Sequence, residues 1–273
     1  MPLRLDPTLR QRISTADRTL FGGWICSGSP VAAEIMAGAG LDWLLIDMEH
    51  APNGLESVLA QLHAVSGYGC TPVVRVPVGE AVIVKQVLDL GAQNIVVPMV
   101  STAQQAREVA AMAHYPPAGV RGVGSALARS GRWNRVPDYL QSAAEYVSVF
   151  VQVETVEGIE NAAEIAAVEG IDGVFFGPSD LAASMGLIGQ QTHPDVVAKV
   201  KDAFTAVTAA GKPAGVNAFD PRAAGDYVAA GAGFVLVGAD VALIARGSEK
   251  LAADYIDVDC TDADCTDARP KER

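Results

Sequence analysis

A (β/α)8 barrel is the fold this sequence predicts, on three observations. Eight short, β-branched apolar runs alternate with Ala-rich stretches of helical spacing. The length of 273 residues is close to the ~250 typical of such a barrel. His50, Arg75, Gln152, Glu154 and Asp180 each stand at or just beyond the C-terminal end of an apolar run, on the face where such a barrel collects its chemistry. The strand interiors are expected to be packed with branched apolar side chains.

The strands are read near Gly22 to Cys26, Trp43 to Asp47, Pro72 to Val76, Asn94 to Pro98, Ser148 to Val153, Asp172 to Phe176, Pro213 to Asn217 and Phe234 to Gly238. Their apolar residues run without polar alternation, as in parallel strands covered on both faces. Helices are read at Ser57 to Val65, Ala81 to Leu90, Ala103 to Ala113, Ile159 to Val168, Pro194 to Ala209 and Pro221 to Ala229. Most of these end close to Gly67, Gly91, Gly170, Gly211 or Gly231, which suits a left-handed helix cap. Eight such units close into a barrel more naturally than they form an open doubly wound sheet.

Composition narrows the function. Half the residues are hydrophobic, enough for one large core, so a single domain over 1–256 is expected. A formal charge of −12 without a basic stripe argues against a nucleic-acid partner, whose backbone calls for clustered Lys and Arg. The N-terminus lacks the apolar core of a signal peptide, and no apolar stretch approaches the ~20 residues that cross a bilayer. A cytoplasmic protein with no membrane partner is expected. Cys26, Cys70, Cys260 and Cys265 form no CxxC pair and read as reduced thiols.

Two segments interrupt the repeat. Tyr115 to Asp138, rich in Gly, Pro and Arg, is too long for a structural loop; it is either a surface insertion or a loop that covers the mouth or meets a neighbouring subunit. The acidic tail, 257–273, has no apolar periodicity and is expected to be disordered.

The chemistry follows the strands. IDMEHAPNG places Asp47, Glu49 and His50 at the mouth after the second strand. Arg75, within VVRVP, is a charge in a strand otherwise wholly apolar, so it needs a partner, and Asp47 is the strand neighbour for a structural pair. Gln152 and Glu154 share one orientation by strand alternation. Gly177, Pro178, Ser179 and Asp180 lead into a helix whose free backbone N–H groups suit a substrate carboxylate, although Asp180 also fits a helix N-cap. Two acids on adjacent strand ends repel unless a cation lies between them, and Mg²⁺ or Mn²⁺ fits such a pair. His50 reads as a general base or as a hydrogen-bonded structural histidine. Asp89 is a candidate for an acid that orients it.

The segments DWLLIDMEHAPNG, VVRVP, LDLGAQNIVVPMV, YPPAGVRGVG, VQVETVEGIEN and GVFFGPSDLAASMG resemble those of the HpcH/HpaI aldolase/citrate lyase family, specifically its metal-dependent pyruvate aldolases. The likeness covers nearly the whole chain before the acidic tail. It implies a TIM barrel of the phosphoenolpyruvate/pyruvate superfamily type, with its last helix exchanged between subunits in a hexamer built from dimers. It also implies that Glu154 and Asp180 ligate the metal, Arg75 stabilises an enolate, His50 is the base and Asp89 tunes it. Gln152, Gly177 and Ser179 would contact the pyruvate part of a 2-oxo acid substrate that is cleaved to an aldehyde. Carboxylate sites also accept Co²⁺, Ni²⁺ or Zn²⁺.

The sequence departs from that pattern at Asn217, where relatives carry an aliphatic residue. The departure points to a hydroxylated aldehyde, or to a strand-end turn residue. The far end of the substrate is expected near Trp24, Ser27, Asn217 and Asp240, and Arg121 or Arg132 could bring a cation from a neighbouring subunit. The alternatives are a coenzyme A thioester lyase of the same superfamily and a non-catalytic binding barrel. A Schiff-base aldolase needs a desolvated Lys inside the barrel, whereas Lys85, Lys199, Lys201, Lys212, Lys250 and Lys271 fall in expected helices, loop or tail. A dinucleotide enzyme lacks its GxGxxG after a strand.

Overall fold

The computed structural model describes residues 3 and 5–256; the acidic tail, with Cys260, Cys265 and Lys271, lies outside them. In chain order the elements are α1 (Leu9–Thr15), β1 (Leu20–Ile25), α2 (Pro30–Ala37), β2 (Trp43–Asp47), α3 (Leu55–Val65), β3 (Thr71–Arg75), α4 (Ala81–Asp89), β4 (Asn94–Val97), α5 (Ala103–Ala113), α6 (Tyr139–Ser142), β5 (Ser148–Val153), α7 (Val156–Glu160), α8 (Ala162–Ala166), β6 (Gly173–Phe176), α9 (Pro178–Ser184), α10 (Pro194–Ala209), β7 (Ala214–Asn217), α11 (Pro221–Ala229), β8 (Phe234–Ala239) and α12 (Asp240–Tyr255). The eight strands are parallel and close into a barrel, β1 pairing with both β2 and β8. The described residues divide into two units, one ending at Asp240 and the other beginning at Val241. Within the second, α12 carries Ile244, Leu251 and Tyr255 on one helical stripe, and Lys250 pairs with Asp254 at 2.7 Å. Among the described residues no helix is long and apolar enough to cross a membrane.

All eight expected strands are present with ends shifted by two residues at most. One expected helix, Ile159 to Val168, is instead the pair α7 and α8. The break falls at Asn161, whose side-chain amide donates to the Ser101 carbonyl at 2.9 Å, a local bond that competes with helix continuation. The short α1 was not read from apolar spacing, yet it carries a capping box, Thr8 with Gln11. It sits at the N-terminal end of the barrel, where the Leu9 amide donates to Asn94 Oδ1 at 2.6 Å. Gly91 and Gly231 take φ of 92° and 97°, as expected of helix-ending glycines, whereas Gly67 does not enter that region.

The barrel interior differs from the expected branched filling. Trp43 of β2 meets Phe175 of β6 edge-on at 6.4 Å, and Phe150 of β5 meets Phe234 of β8 at 5.2 Å. Strands that are not neighbours can touch only across the interior, so these four rings occupy it, and Trp24 of β1 joins them edge-on to Phe175 at 6.4 Å. Glycines make the room. A Cβ on Gly22 would lie 2.4 Å from the Trp43 ring, and one on Gly215 would lie 2.2 Å from the Phe234 ring. Most branched Val and Ile side chains of the strands pack instead in the outer layer, against the helices. Large rings facing glycine preserve the interior density that close packing requires, and the rings prefer the tilted contacts seen here.

Phe234 touches Trp43, Phe150 and Phe175, so Phe234→Ala is expected to cost about 3–5 kcal/mol of stability by urea unfolding. A loss below ~1 kcal/mol would show that the rings are not the packed centre of the barrel.

Candidate active site

Ends of strands bring the site together. Arg75 closes β3 on the same inward parity as Val73 and is 6% exposed. Its Nε and Nη2 donate to Asp47 Oδ1 and Oδ2 at 2.8 and 2.9 Å, a two-pronged pair with the register partner at the end of β2. Its Nη1 lies 2.9 Å from Glu49 Oε2 and 3.4 Å from Gln152 Oε1. The Glu49 contact is ionic and not a directed bond, since Oε2 is buried without a hydrogen-bond donor. The guanidinium stacks over Trp24, its carbon 4.2 Å from the ring centroid. The structural pair with Asp47 is therefore real, and Asp47 also accepts the backbone amides of Glu49 and His50 at 3.0 and 3.3 Å. One carboxylate thus sets both the cation and the loop that bears the imidazole.

His50 is largely exposed on that loop, its Nε2 3.8 Å from Glu49 Oε1. Glu49 stands between the imidazole and the guanidinium. Across the mouth, Gln152 donates its amide to Glu154 Oε2, and the Met99 backbone amide donates to Oε1 at 2.9 Å. Met99 reaches that position with a φ of 58°, a left-handed conformation uncommon for a side chain of this kind. Gly177 lies against the same carboxylate: a Cβ there would sit 2.7 Å from Glu154 Oε2. Asp180 is in the first turn of α9, and the N-cap is Gly177, so Asp180 is not the cap that its position allowed. Ser179 and Asp180 are both exposed.

Glu154 is 2% exposed. Burial first, and then the negative charges of Asp180 and Glu49, push its carboxyl up to about 7 against the opposing bonds from Gln152 and Met99. Glu49 is raised as well, burial again leading, with Arg75 and His50 opposing. Acids held this way suit a cation. Among the described residues no three His, Cys, Asp or Glu side chains are grouped as ligands for one ion, so an ion between Glu154 and Asp180 would complete its oxygens from outside the chain. Cys26, also near the mouth, has its thiol pushed up to about 12 by burial and by Asp47 and Asp240 and is no nucleophile at neutral pH.

Asn217 ends β7, where its Oδ1 accepts the Trp24 indole N–H at 2.9 Å. It thereby fixes the ring on which Arg75 stacks. The Asp240 carboxylate accepts the backbone amides of Cys26 and Ser27 at 2.8 and 3.1 Å and sets the loop after β1.

Asp89 stands apart from this group. It ends α4, at the opposite end of the barrel from His50, and bonds Arg121 Nη2 at 2.7 Å. The loop 115–138 does not cover its own mouth: the Ser130 amide donates to the Asp89 carbonyl and Arg129 Nη1 to the Leu90 carbonyl, both on the α4 flank. Arg121 is buried there over the Tyr115 ring. The described lysines lie on helices or, for Lys212, in the loop before β7, where Nζ donates to the Ile171 carbonyl at 2.6 Å.

Residues 20–247 match the HpcH/HpaI aldolase/citrate lyase family. The chain belongs to this family. Its relatives include a hydroxypyruvate/pyruvate aldolase of Deinococcus radiodurans, 51% identical over 94% of this chain and 93% of the relative. Another is a 4-hydroxy-2-oxo-heptane-1,7-dioate aldolase of Salmonella dublin, 50% identical over 88% and 91%. Among solved structures, an HpcH/HpaI family protein of Burkholderia cenocepacia superposes with a TM-score of 0.86 at 40% identity, over 90% of this chain and 98% of that one.

With a chelator present, Glu154→Gln is expected to stabilise the protein at pH 8. An unfolded Glu titrates near 4.5, so between about 4.5 and 7 the folded chain keeps a proton that the unfolded chain has lost. Stability then falls as pH rises through that window, and Gln escapes the loss. Thermal unfolding should favour the variant by on the order of 2–3 kcal/mol at pH 8 and show little difference below pH 5. An advantage unchanged between the two pH values would show that Glu154 is not held in its neutral form.

Proposed function

We propose that the chain is a metal-dependent pyruvate aldolase, which reversibly cleaves 4-hydroxy-2-oxo acids to pyruvate and an aldehyde. The observation that carries the reading is a buried, forked Arg75 at the same mouth as the Glu154 and Asp180 carboxylates. The two relatives at about half identity, both named as aldolases, support it over the thioester lyase.

Glu154 and Asp180 would hold a divalent cation, with Mg²⁺ or Mn²⁺ favoured and Co²⁺, Ni²⁺ or Zn²⁺ accepted. The raised Glu154 carboxyl, the open position left by Gly177 and the undonated Glu49 Oε2 fit such a cation. When bound, the ion would supply Lewis-acid polarisation of the 2-oxo group. Arg75 stabilises the oxygen that becomes negative as the C3–C4 bond breaks; its geometry is set beforehand by Asp47, so little reorganisation is needed. His50 takes the proton of the 4-hydroxyl, directly or through water, and the aldehyde leaves. The remaining enolate of pyruvate takes a proton at its methylene carbon. Gln152, Gly177 and the Ser179 backbone bind the carboxylate end. Trp24 and Asn217 face the aldehyde end, where the free amide of Asn217 favours a hydroxylated aldehyde.

Asp89 can tune His50 only from a second copy, because its own barrel holds it at the opposite end. That requirement supports a homo-oligomer, a hexamer of three dimers with α12 exchanged. A single domain over 1–256 and a cytoplasmic setting belong to the same proposal.

Metal-stripped protein should release no pyruvate from a panel of 4-hydroxy-2-oxo acids and regain cleavage with Mg²⁺ or Mn²⁺. His50→Ala and Arg75→Ala should each lower turnover by ~10²-fold or more. Full cleavage by either variant, or cleavage indifferent to metal, would contradict the reading.

A further inference from the structure

At the N-terminal end of the barrel, remote from the mouth, a cavity of about 330 Å³ opens between α1, α3 and the starts of β3 and β4. Three arginines line it: Arg12, Arg129 and Arg132. In a chain of net charge −12, such a cluster would ordinarily be paired. Here it is not. Among the described residues no carboxylate comes within ion-pair distance of any of the three. Asp6, the one acid of the lining, is exposed and acts on Arg132 only at longer range.

The guanidinium groups are held in place by neutral oxygens, most of them backbone carbonyls. Arg129 Nη1 donates to Leu90 at 3.1 Å, and Arg132 Nη1 to the Arg129 carbonyl at 2.7 Å. Arg12 Nη1 donates to the Gly69 carbonyl and to Thr71 Oγ1 at 2.7 and 2.6 Å. A Cβ on Gly91 would lie 2.7 Å from Arg129 Nη1 and 3.0 Å from Arg132 Nη1. Those two Nη1 atoms are therefore within roughly 6 Å of each other. Both side chains are half-buried, and burial together with Arg132 pulls Arg129 down to about 10. Like charges fixed this close in partial burial are unfavourable until an anion sits between them.

We propose that this cavity binds a small phosphate-bearing molecule, a phosphate monoester or inorganic phosphate, held by Arg12, Arg129 and Arg132. Guanidinium forks match phosphate oxygens two at a time, and a tetrahedral dianion offers enough oxygens for three. The cavity is of the size that takes a small metabolite. Gly91 is part of the site, since any side chain there would enter the space of both guanidinium groups. The site lies at the opposite end of the barrel from Arg75, so occupancy leaves the mouth free.

Calorimetric titration of the assembled protein with inorganic phosphate tests the proposal, at constant ionic strength, with glycerol phosphate as the ester arm. Saturable binding of one phosphate per chain is expected, weakened about tenfold or more in Arg129→Gln and retained in Arg75→Gln. Tighter binding of the ester than of phosphate identifies a metabolite as the ligand, and equal binding identifies the free ion. Loss in Arg75→Gln with retention in Arg129→Gln would place the phosphate at the mouth and overturn the proposal. So would no saturable binding, the result expected if an acidic side chain of a second copy fills the cavity. Should Arg129→Gln fail to fold, phenylglyoxal labelling of the wild-type protein decides: phosphate must protect Arg129 and Arg132, and no protection overturns the site.

Discussion

The site depends on one buried guanidinium. A charge inside a barrel is costly unless its surroundings compensate it, and Arg75 is compensated on every side: a two-pronged bond to Asp47, an ionic contact with Glu49, the Gln152 carbonyl and the face of Trp24. Each partner has a second task. Asp47 orders the loop that carries Glu49 and His50, Gln152 bonds Glu154, and Trp24 is fixed by Asn217. The mouth is a single network centred on one cation, so the Arg75 guanidinium is in place before any ligand arrives.

The second organising feature is the excess of acid at the same mouth. Burial first, and then the negative charges of Asp180 and Glu49, push the Glu154 carboxyl up to about 7, while Arg75 is already occupied by Asp47. Among the described residues no cationic side chain comes within ion-pair distance of Glu154 or Asp180. A divalent cation would answer that charge, and an anionic 2-oxo acid would in turn balance the cation and Arg75. Charge bookkeeping and the residues' positions lead to the same chemistry.

Much of this was legible in the sequence because both signals are local. Continuous apolar runs gave every strand, and polar residues at run ends gave His50, Arg75, Gln152, Glu154 and Asp180. What was not legible depends on distance or backbone shape. The aromatic interior comes from Trp43, Phe150, Phe175 and Phe234 converging from four strands, with glycines opposite them, a pattern invisible to any one run. Met99 supports Glu154 through a left-handed backbone that its residue type does not announce. Asp89 lies at the end of α4 beside Arg121 in its own barrel, and no local signal says which copy of the chain would supply an acid to His50. The loop 115–138 was open to several readings, because nothing in its composition says that it lies along α4.

If this mouth makes and holds an enolate of pyruvate, the chemistry can be followed without the aldehyde. Pyruvate in D₂O, followed by proton NMR with the metal-loaded protein, should lose its methyl signal to deuterium, and the exchange should vanish when Arg75 is replaced by Gln. Methyl exchange that persists without Arg75, or no exchange by a wild-type protein that binds pyruvate, would contradict the account.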